Sequence, residues 1–468
     1  MVRENAHSTA NRGNKMPSLQ SLLDQVDQAT NEIVEFHRSL VRIPTVNTGF
    51  MPTGDETKVA VYIKDWLAKE GIDSQLLARD EGRDNIISVM PGADHEKTRL
   101  MFMSHTDVVP VEDWDKWRFD PFSAEISGGR IYGRGASDCK ALLASQLMAM
   151  AIFKRNDVRL SHGLRLVSGA DEEHGGRWGF GWLADNHPET LESEFAVNEG
   201  GGTPVETGSS LAYLLGTGEK GRMEVHIRFK GVSAHASVAW TGTNSSYALA
   251  NALGAIEGYE PDLDTSLEFF NHLGTFAIED RPTPGNIESI IAQANEDNPR
   301  LGTILRALSR MTLTPTMING GIKSNSVPEV FELTCDVRTL PFQTEEYVRE
   351  QLDKVLEGIP GVEYDIDYMS VPNESPFETE LADAIKRAQS LAVSRDDIQW
   401  VPAVSNGFTD SRFTRNLGIV TYGFSGVHPD DDPTLSRAHG TDESVGIASL
   451  VSATKCMIAL AYDMCGGS

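Results

Sequence analysis

A histidine and a carboxylate stand at the end of a short apolar stretch of this sequence. Residues 99–104 are followed directly by His105 and, two residues later, by Asp107. A short apolar run bounded by polar residues predicts a strand in a sheet that is covered on both faces. Ligands of open α/β sheets lie at the carboxyl ends of the strands, so this pair is a candidate for chemistry. Taken alone, the two residues could equally be solvated polar groups.

Two later apolar stretches, 164–168 and 195–198, also end in carboxylates. Glu172 and Glu173 follow the first stretch, and Glu199 follows the second. If all these stretches are strands of one sheet, their acidic side chains meet at the same kind of edge as His105. Adjacent carboxylates repel each other unless a cation neutralises them. The acidic residues therefore indicate a metal site.

Asp138 and His439 extend this set of side chains. Asp138 follows a glycine-containing turn and precedes a predicted helix over 138–154, where an aspartate most often serves as an N-cap; a metal ligand is the alternative. His439 lies in the loop after a predicted strand over 417–422. Oxygen and imidazole ligands suit Zn²⁺, with Co²⁺ or Mn²⁺ as substitutes. Two such ions also need a free carboxylate that takes a proton from water.

Composition and length limit the class of protein. The chain has 468 residues, more than the ~250–300 that one core supports, so at least two domains are expected. Its 68 acidic and 41 basic residues give a net charge of -27, which argues against nucleic acid or an anionic membrane as a partner. The four cysteines form no CxxC pair, which favours reduced thiols. An apolar leader and a run of about 18 apolar residues are both missing, so a cytoplasmic protein is predicted.

The pattern of elements predicts an α/β protein. Helices over 18–40 and 56–70 precede strands over 74–78 and 85–89, and this alternation is typical of a mixed sheet covered by helices. We expect residues 1–16 to be a flexible tail. Residues 17–216 and 373–468 are predicted to form the metal-binding catalytic domain.

Residues 217–372 follow a different pattern. Their order of strand, helix, two strands, helix and strand predicts a ferredoxin-like unit inserted into the catalytic domain. The predicted elements are strands over 222–229, 314–318, 330–339 and 362–368, with helices over 244–257 and 345–356. The stretch 261–310 is longer than such a unit requires, and the sequence leaves open whether it shapes the substrate pocket.

Five motifs, in this order, resemble the M20 (M20/M25/M40) family of metallopeptidases. They lie at residues 104–107, 133–140, 170–175, 198–200 and 438–440. The family includes aminoacylases, carboxypeptidases, dipeptidases and succinyl-diaminopimelate desuccinylases. The resemblance implies a di-zinc exopeptidase-type catalytic domain with an inserted lid. It also implies a homodimer formed through that lid.

The resemblance further implies a set of metal ligands. Asp138 would bridge two Zn²⁺ ions. His105 and Glu199 would complete one metal site, and Glu173 and His439 would complete the other.

Catalytic roles also follow from the resemblance. Glu172 would be the general base and acid, and Asp107 would orient the imidazole of His105. His235 of the lid would stabilise the oxyanion, in its own subunit or across the dimer interface. The expected mechanism is attack on an amide carbonyl by a bridging hydroxide. Family members tend to have a cis peptide at the position of Asp138–Cys139.

Substrate contacts are carried over for four residues. Asn325 would contact the substrate, and Arg338 would clamp a substrate carboxylate. Turn chemistry and a salt bridge at a strand end are the alternatives for these two residues. Gly407 and Thr409 lie in a loop that resembles a substrate-binding loop of the family, although Phe408 departs from its pattern.

The predicted function is hydrolysis of an amide bond in a small substrate that carries a carboxylate. Glu199, where aminopeptidases more typically have aspartate, and Arg338 favour deacylation of an N-acyl-amino acid. A carboxypeptidase or dipeptidase is the alternative, and a catabolic amidase stays open. A further alternative is a protein without enzymatic activity, a catalytically inactive binding module. The complete set of metal ligands and the general base argue against it.

Overall fold

The computed structural model describes residues 16–93, 98–207 and 210–466. Apart from Met16, the predicted tail lies outside the described residues. In the first part of the chain these residues form the α-helices α1 (Leu19–Gln28), α2 (Thr30–Val41), α3 (Thr57–Lys69), α4 (Lys140–Arg155) and α5 (Phe180–Asn186). They also form strands β1 (Ser74–Ala78), β2 (Asp84–Met90), β3 (Thr98–His105), β4 (Glu125–Ser127), β5 (Arg130–Tyr132), β6 (Gly163–Gly169), β7 (Phe195–Asn198), β8 (Pro204–Thr207) and β9 (Ser210–Glu219).

The middle of the chain forms a separate four-stranded antiparallel sheet. In chain order, the elements of this part of the chain are β10 (Gly221–Lys230), β11 (Ala234–His235), α6 (Ser245–Glu257), α7 (Ile287–Asp297), α8 (Pro299–Leu308), β12 (Thr312–Gly320), β13 (Ser326–Val327), β14 (Val330–Thr339), α9 (Glu345–Val355) and β15 (Val362–Ser370). The sheet order is β12-β14-β10-β15, and α6 and α9 contribute to the apolar core on one of its faces. This is the strand order of a ferredoxin-like unit.

The last part of the chain returns to the first sheet. It forms β16 (Asn373–Glu374), α10 (Glu380–Val393), β17 (Ile398–Ser405), α11 (Ser411–Asn416), β18 (Val420–Gly423), β19 (Ser444–Gly446) and α12 (Ile447–Cys465). The large sheet has the order β1-β2-β6-β3-β7-β18-β9-β16, and β8 and β17 also pair with β9. The predicted fold class is confirmed, because a mixed sheet covered by helices is joined to a smaller inserted α+β unit.

Four neighbouring strands in the middle of the large sheet run parallel. They are β6, β3, β7 and β18. The side chains of β3 are buried from Leu100 onward, because helices cover both faces of the sheet. Parallel strands end at the same edge, so the residues that follow them come together there.

Two element predictions were wrong in their bounds. The helix predicted over 18–40 is divided at Ala29 into α1 and α2. At this division the hydroxyl of Thr30 donates a hydrogen bond to the carbonyl of Asp27 at 2.9 Å. The strand predicted over 417–422 begins only at Val420, because α11 runs to Asn416 and Gly418 adopts a left-handed turn with φ 81°.

The stretch 261–310 forms its own apolar core between the two sheets. The 3₁₀ helix Glu268–Phe276, α7 and α8 pack together and against Val401 and Val404 of β17. At the connection between β9 and β10, the buried ammonium group of Lys220 donates hydrogen bonds to the carbonyls of Ala307 and Arg310, at 2.7 and 2.8 Å. The stretch therefore contacts the large sheet although it is inserted in the small one.

Among the described residues, α12 is the one helix whose length and composition would allow it to cross a membrane. About two thirds of its apolar window, 67%, is buried inside the protein. It packs against α4 and α10 as a core helix of the large sheet.

Candidate active site

The parallel strands β6, β3 and β7 bring four predicted site residues to one edge of the large sheet. His105 is the last residue of β3, Glu199 follows β7, and Glu172 and Glu173 lie in the short 3₁₀ helix Glu172–His174 after β6. Because β3 lies between β6 and β7, these side chains converge on His105.

The carboxylate of Asp138 lies between two histidines. Its Oδ1 is 3.1 Å from Nε2 of His105, and its Oδ2 is 3.1 Å from Nε2 of His439. Asp138 precedes α4, whose N-cap is Cys139, so it does not cap that helix. The peptide bond Asp138–Cys139 is cis, as the family resemblance implied. The Asp138 side chain presents one oxygen to each histidine.

One glutamate accompanies each histidine. Oε1 of Glu199 is 3.4 Å from Nε2 of His105, and Oε2 of Glu173 is 3.0 Å from Nε2 of His439. The other carboxylate oxygen of Glu173 is buried and has no hydrogen-bond partner among the described residues. His439 is 57% exposed and sits in a left-handed turn with φ 63°. Each side of Asp138 therefore holds one imidazole and one carboxylate.

Asp107 contacts the ring of His105 and the backbone of Glu172 and Glu173. Nδ1 of His105 is 3.4 Å from Oδ1 of Asp107 and 3.0 Å from its backbone carbonyl. The Asp107 carboxylate accepts hydrogen bonds from the backbone N–H groups of Glu172 and Glu173 and from the amide of Asn47. The sequence assigned no role to Asn47, which sits in a loop remote from every predicted motif.

Burial and mutual repulsion raise the pKa values of the acidic groups. The pKa of Glu172 lies well above its usual range because the group is buried and close to Glu199. Burial and the charge of Asp138 raise the pKa of Glu173 to about 7. Hydrogen bonds to Asp138 and Glu173 raise the pKa of His439 to about 10. The cluster thus has an excess of buried negative charge, which divalent cations would neutralise.

The donor atoms suit a metal site better than a network of hydrogen bonds that only stabilises the fold. Donor atoms of His105, Asp138 and Glu173 all lie within 4.8 Å of one another. Cys139 is also close, since its sulfur is 3.2 Å from the backbone nitrogen of His105. Its sulfur lies within 4.8 Å of donor atoms of His105 and Glu199, and burial raises the pKa of the Cys139 thiol to about 12. Oxygen and imidazole donors with an unpartnered buried carboxylate oxygen are the chemistry of a site for divalent metal ions.

Glu443 is a further residue of the site, and the sequence motifs assigned no role to it. It is buried, forms an ion pair with Arg134 at 2.6 Å and accepts hydrogen bonds from the backbone N–H groups of Gly135, Ser137 and Asp138. These contacts hold the loop that carries Asp138. In the sequence, the position of Glu443 four residues after His439 was the signal that could have identified it as part of the site.

The predicted lid residues His235 and Asn325 lie close to each other. His235 and Ser326 are paired in the short β11–β13 ladder, and the carbonyl of Asn325 accepts the N–H of Ala236 at 3.0 Å. Both His235 and Asn325 are exposed. Across the described residues, no hydrogen bond or ion pair joins either side chain to the Asp138 cluster.

The remaining predicted substrate residues are engaged in local contacts. Arg338 pairs with Asp336 at 2.8 Å and donates to the carbonyl of Asn406 at 2.9 Å. Thr409 donates from its backbone N–H and hydroxyl to Glu219, at 3.0 and 2.6 Å. The N–H of Gly407 donates to the hydroxyl of Ser405. The hydrogen bond from Arg338 to Asn406 thus joins β14 of the small sheet to a loop of the large one, whereas its ion pair with Asp336 lies within β14.

The sequence profile of Peptidase family M20/M25/M40 matches residues 101–463. The chain belongs to this family and is a hydrolase that acts on amide bonds. It is 27% identical over 459 residues to the N-fatty-acyl-amino acid synthase/hydrolase PM20D1 of Xenopus tropicalis, covering 91% of this chain and 85% of that protein. It is 26% identical over 408 residues to an uncharacterized carboxypeptidase of Schizosaccharomyces pombe, covering 84% and 67%.

The fold is similar to that of solved family members. The M20 family metallo-carboxypeptidase of Sulfolobus solfataricus superposes with a TM-score of 0.67 at 20% sequence identity. The similarity covers 92% of this chain and 99% of that one. Both sheets are therefore part of a known arrangement.

Proposed function

We propose that this chain is a two-zinc amidohydrolase that deacylates an N-acyl-amino acid. The position of Asp138 supports this best, because its two oxygens face two separate histidines at 3.1 Å each. A carboxylate shared between two ions needs this arrangement. His105 with Glu199 would complete one metal site, and His439 with Glu173 the other. Zn²⁺ suits these donors, and Co²⁺ or Mn²⁺ would substitute.

The residues around the metal sites suit amide hydrolysis. Bound there, two cations would acidify a water molecule and polarise the amide carbonyl. Glu172 is buried beside the metal ligands but is not one of the proposed ligands. It would therefore accept the proton of the water and pass it to the leaving amine. Asp107 would fix the ring of His105 through the contact to Nδ1.

The inserted unit would act as a lid. In this proposal residues 17–216 and 373–468 form the catalytic domain, and residues 217–372 form the lid and the contact of a homodimer. His235 and Asn325 are exposed and lie side by side, so they are available to the site of a partner subunit. Arg338 would bind the carboxylate of the substrate, since an arginine has five N–H donors and three are used here.

The choice of an N-acyl-amino acid is supported by the Xenopus relative, whose name describes such a hydrolase. A carboxypeptidase or dipeptidase is the second candidate, because the Schizosaccharomyces relative is named a carboxypeptidase. Both activities use the same metal centre and differ in the group on the acyl side of the bond. Both are compatible with a cytoplasmic enzyme of small substrates, which we also propose.

A panel of substrates distinguishes the two candidates. The zinc-loaded protein is incubated with N-acyl-amino acids and free dipeptides, and the released amines are identified by mass spectrometry. Glu172→Ala, treated in the same way, controls for contaminating hydrolases. Cleavage of the acylated compounds supports a deacylase, and cleavage of the dipeptides alone assigns the chain to the peptidases.

A further inference from the structure

Asn47 lies in a loop that runs beside the segment carrying Asp107. Its backbone N–H donates to the carbonyl of Val108 at 2.8 Å, and the N–H of Val108 donates to the carbonyl of Thr45 at 3.0 Å. The hydroxyl of Thr45 adds a hydrogen bond to the carbonyl of Thr106 at 2.6 Å. These contacts fix Asn47 relative to Asp107, and Asn47 is only 4% exposed.

The amide group of Asn47 lies between two buried carboxylates. Its Nδ2 donates one hydrogen bond to Oδ2 of Asp107 at 2.8 Å and another to Oδ1 of Asp171 at 2.9 Å. Its Oδ1 accepts the backbone N–H of Gly49 at 3.0 Å. Both N–H groups of the amide thus face carboxylates, while its carbonyl oxygen faces a donor. Asparagine satisfies this arrangement, whereas an ionised aspartate has no N–H to donate.

The two carboxylates hold the turn that carries Glu172 and Glu173. Asp107 accepts the backbone N–H groups of both glutamates, at 3.1 and 3.2 Å. Asp171 directly precedes Glu172 in a left-handed conformation with φ 66°, which is uncommon for a residue other than glycine. Its Oδ2 accepts two further backbone N–H groups of the same loop, at 2.9 and 3.3 Å. Asn47 therefore joins the two carboxylates that fix this turn.

A buried ion pair anchors Asp171. Arg83 donates two hydrogen bonds to the carboxylate of Glu56, at 2.7 and 2.8 Å, and one to Oδ1 of Asp171 at 3.0 Å. The side chains of Arg83 and Glu56 are almost fully buried. Bidentate pairs of this kind have a defined geometry. The amide of Asn47 thus links Asp107 to a carboxylate that is itself held in place.

We propose that Asn47 is a positioning residue of the active site, which sets the place of the Glu172 carboxylate and of the His105 ring through Asp107. The inference rests on the proposed function, because it uses the roles given there to Glu172 and His105. Among the hydrogen bonds of the described residues, none joins the Asn47 side chain to a proposed metal ligand. A displacement of about 1 Å in a reacting group lowers a rate by about 100-fold, so indirect support of this kind affects turnover.

Zinc affinity provides a readout that is independent of turnover. In Asn47→Ala the carboxylate of Asp107 loses a hydrogen bond, and the ring of His105 is held less firmly. We expect the variant to bind two zinc ions with a Kd about 10-fold or more above that of the wild type. Competition with a chelator of known affinity measures the Kd. Wild-type affinity in the folded variant would overturn the proposal.

Asn85→Ala is the matched control. Asn85 is also fully buried beside this loop, but its amide contacts backbone groups alone. It donates to the carbonyls of Leu77 and Trp178 and accepts the N–H of Ala170. Its loss should lower the free energy of unfolding, because backbone groups lose their partners, and should leave the Kd for Zn²⁺ unchanged. Equal increases of the Kd in Asn47→Ala and Asn85→Ala would mean a general loosening of the loop and would contradict the assignment.

Steady-state kinetics test the effect on the general base. In Asn47→Ala, kcat should fall about 10-fold or more at saturating zinc while KM is unchanged, because Asn47 supports Glu172 and not the substrate. Asn47→Ser keeps one hydroxyl donor in place of two N–H donors, so its kcat should lie between those of the wild type and Asn47→Ala. The serine variant also provides the test if the alanine variant does not fold. A raised KM with unchanged kcat would overturn the proposal.

The two kinds of measurement separate this inference from the proposed function. If the wild type binds zinc but hydrolyses no N-acyl-amino acid, the proposed function fails, and a raised Kd in Asn47→Ala but not in Asn85→Ala still supports the positioning role. If the wild type hydrolyses these substrates and Asn47→Ala keeps both its Kd and its kcat, the positioning role fails and the proposed function stands.

Discussion

The carboxylate of Glu443 accepts a hydrogen bond from the backbone N–H of Asp138 at 3.0 Å. Asp138 is the carboxylate that both histidines of the site contact, so Glu443 positions it through the main chain. The ion pair with Arg134 completes the partners of this buried glutamate. Groups that orient a metal ligand in this way affect metal affinity although they do not touch the metal.

Replacement of this residue, in Glu443→Gln, should therefore weaken metal binding. We expect the Kd for Zn²⁺ to rise about 10–100-fold, because an amide supplies one acceptor oxygen where the carboxylate supplies two. Competition with a chelator of known affinity measures the Kd. Asp431→Asn is the control: it breaks a buried ion pair with Arg130 in the same region without contacting the Asp138 loop. An equal loss of affinity in both variants would mean that the effect is one of general stability.

Glu172→Ala should separate metal binding from catalysis. The variant is expected to bind two metal ions, as the wild type would, because Glu172 is not placed as a ligand. Its turnover should fall by about 10²–10⁴-fold or more, which is the usual contribution of a general base. Metal content by mass spectrometry and amine release are measured on the same sample. Activity near that of the wild type would remove Glu172 from the mechanism.

His439→Ala should lose one equivalent of metal. On its side of Asp138, the described contacts provide only one other side-chain ligand, Glu173 at 3.0 Å from His439. His235→Ala is the control, since His235 lies on the lid and should leave the metal content unchanged. Unaltered stoichiometry in His439→Ala, or an equal loss in His235→Ala, would contradict the proposed ligand set.

Mixed dimers should show whether His235 serves the site of the partner subunit. Glu172→Ala and His235→Ala, each inactive alone, are co-expressed with different affinity tags, and the heterodimer is isolated. If His235 acts across the interface, one site of the heterodimer is complete and activity returns. The pair Glu172→Ala and His439→Ala is the control, because both changes affect the same cluster and leave each site incomplete. No recovery in the first heterodimer would assign His235 to its own subunit.

His37 should make the metal-free protein sensitive to mild acid. It is fully buried in α2, its Nε2 donates to the carbonyl of Ala136 at 2.9 Å, and burial lowers its pKa from 6.5 to about 4. Between these values the unfolded chain binds a proton that the folded one does not, so the free energy of unfolding falls as the pH falls.

The comparison with His37→Gln isolates this contribution. Glutamine keeps an N–H donor for Ala136 but does not titrate. From pH 7 to pH 5 the wild type should lose about 2 kcal/mol more of its unfolding free energy than the variant. Urea unfolding in the presence of a chelator provides the measurement. Parallel pH profiles would show that His37 is not the titrating group.

The sequence predicted the parts of the site that follow regular strands. Apolar runs ending in His105, Glu172 and Glu199 identify β3, β6 and β7, and parallel strands in a covered sheet end at one edge. The ferredoxin-like unit was equally predictable, because each of its elements has a clear hydrophobic period. The division at Ala29 was not, since both α1 and α2 continue the same apolar spacing.

Contacts between distant loops were beyond the reach of the sequence. Glu443 meets the Asp138 loop across about three hundred residues of chain, so its closeness to His439 in the sequence indicates the site but not this contact. Likewise, the motif that suggests a substrate role for Thr409 does not show that its hydroxyl and backbone N–H are bound to Glu219. Such assignments depend on which partners the fold supplies, and only the three-dimensional structure shows them.

The stretch 261–310 has a mechanical consequence. It begins and ends on the small sheet, yet it packs on β17 and its last turn holds Lys220 at the connection between β9 and β10. Lys220 lies where the chain passes from the large sheet to the small one, so the stretch holds this crossing by hydrogen bonds from a buried ammonium group. In this chain the stretch thus ties the inserted unit to the large sheet at a further place, in addition to the covalent connection between β9 and β10.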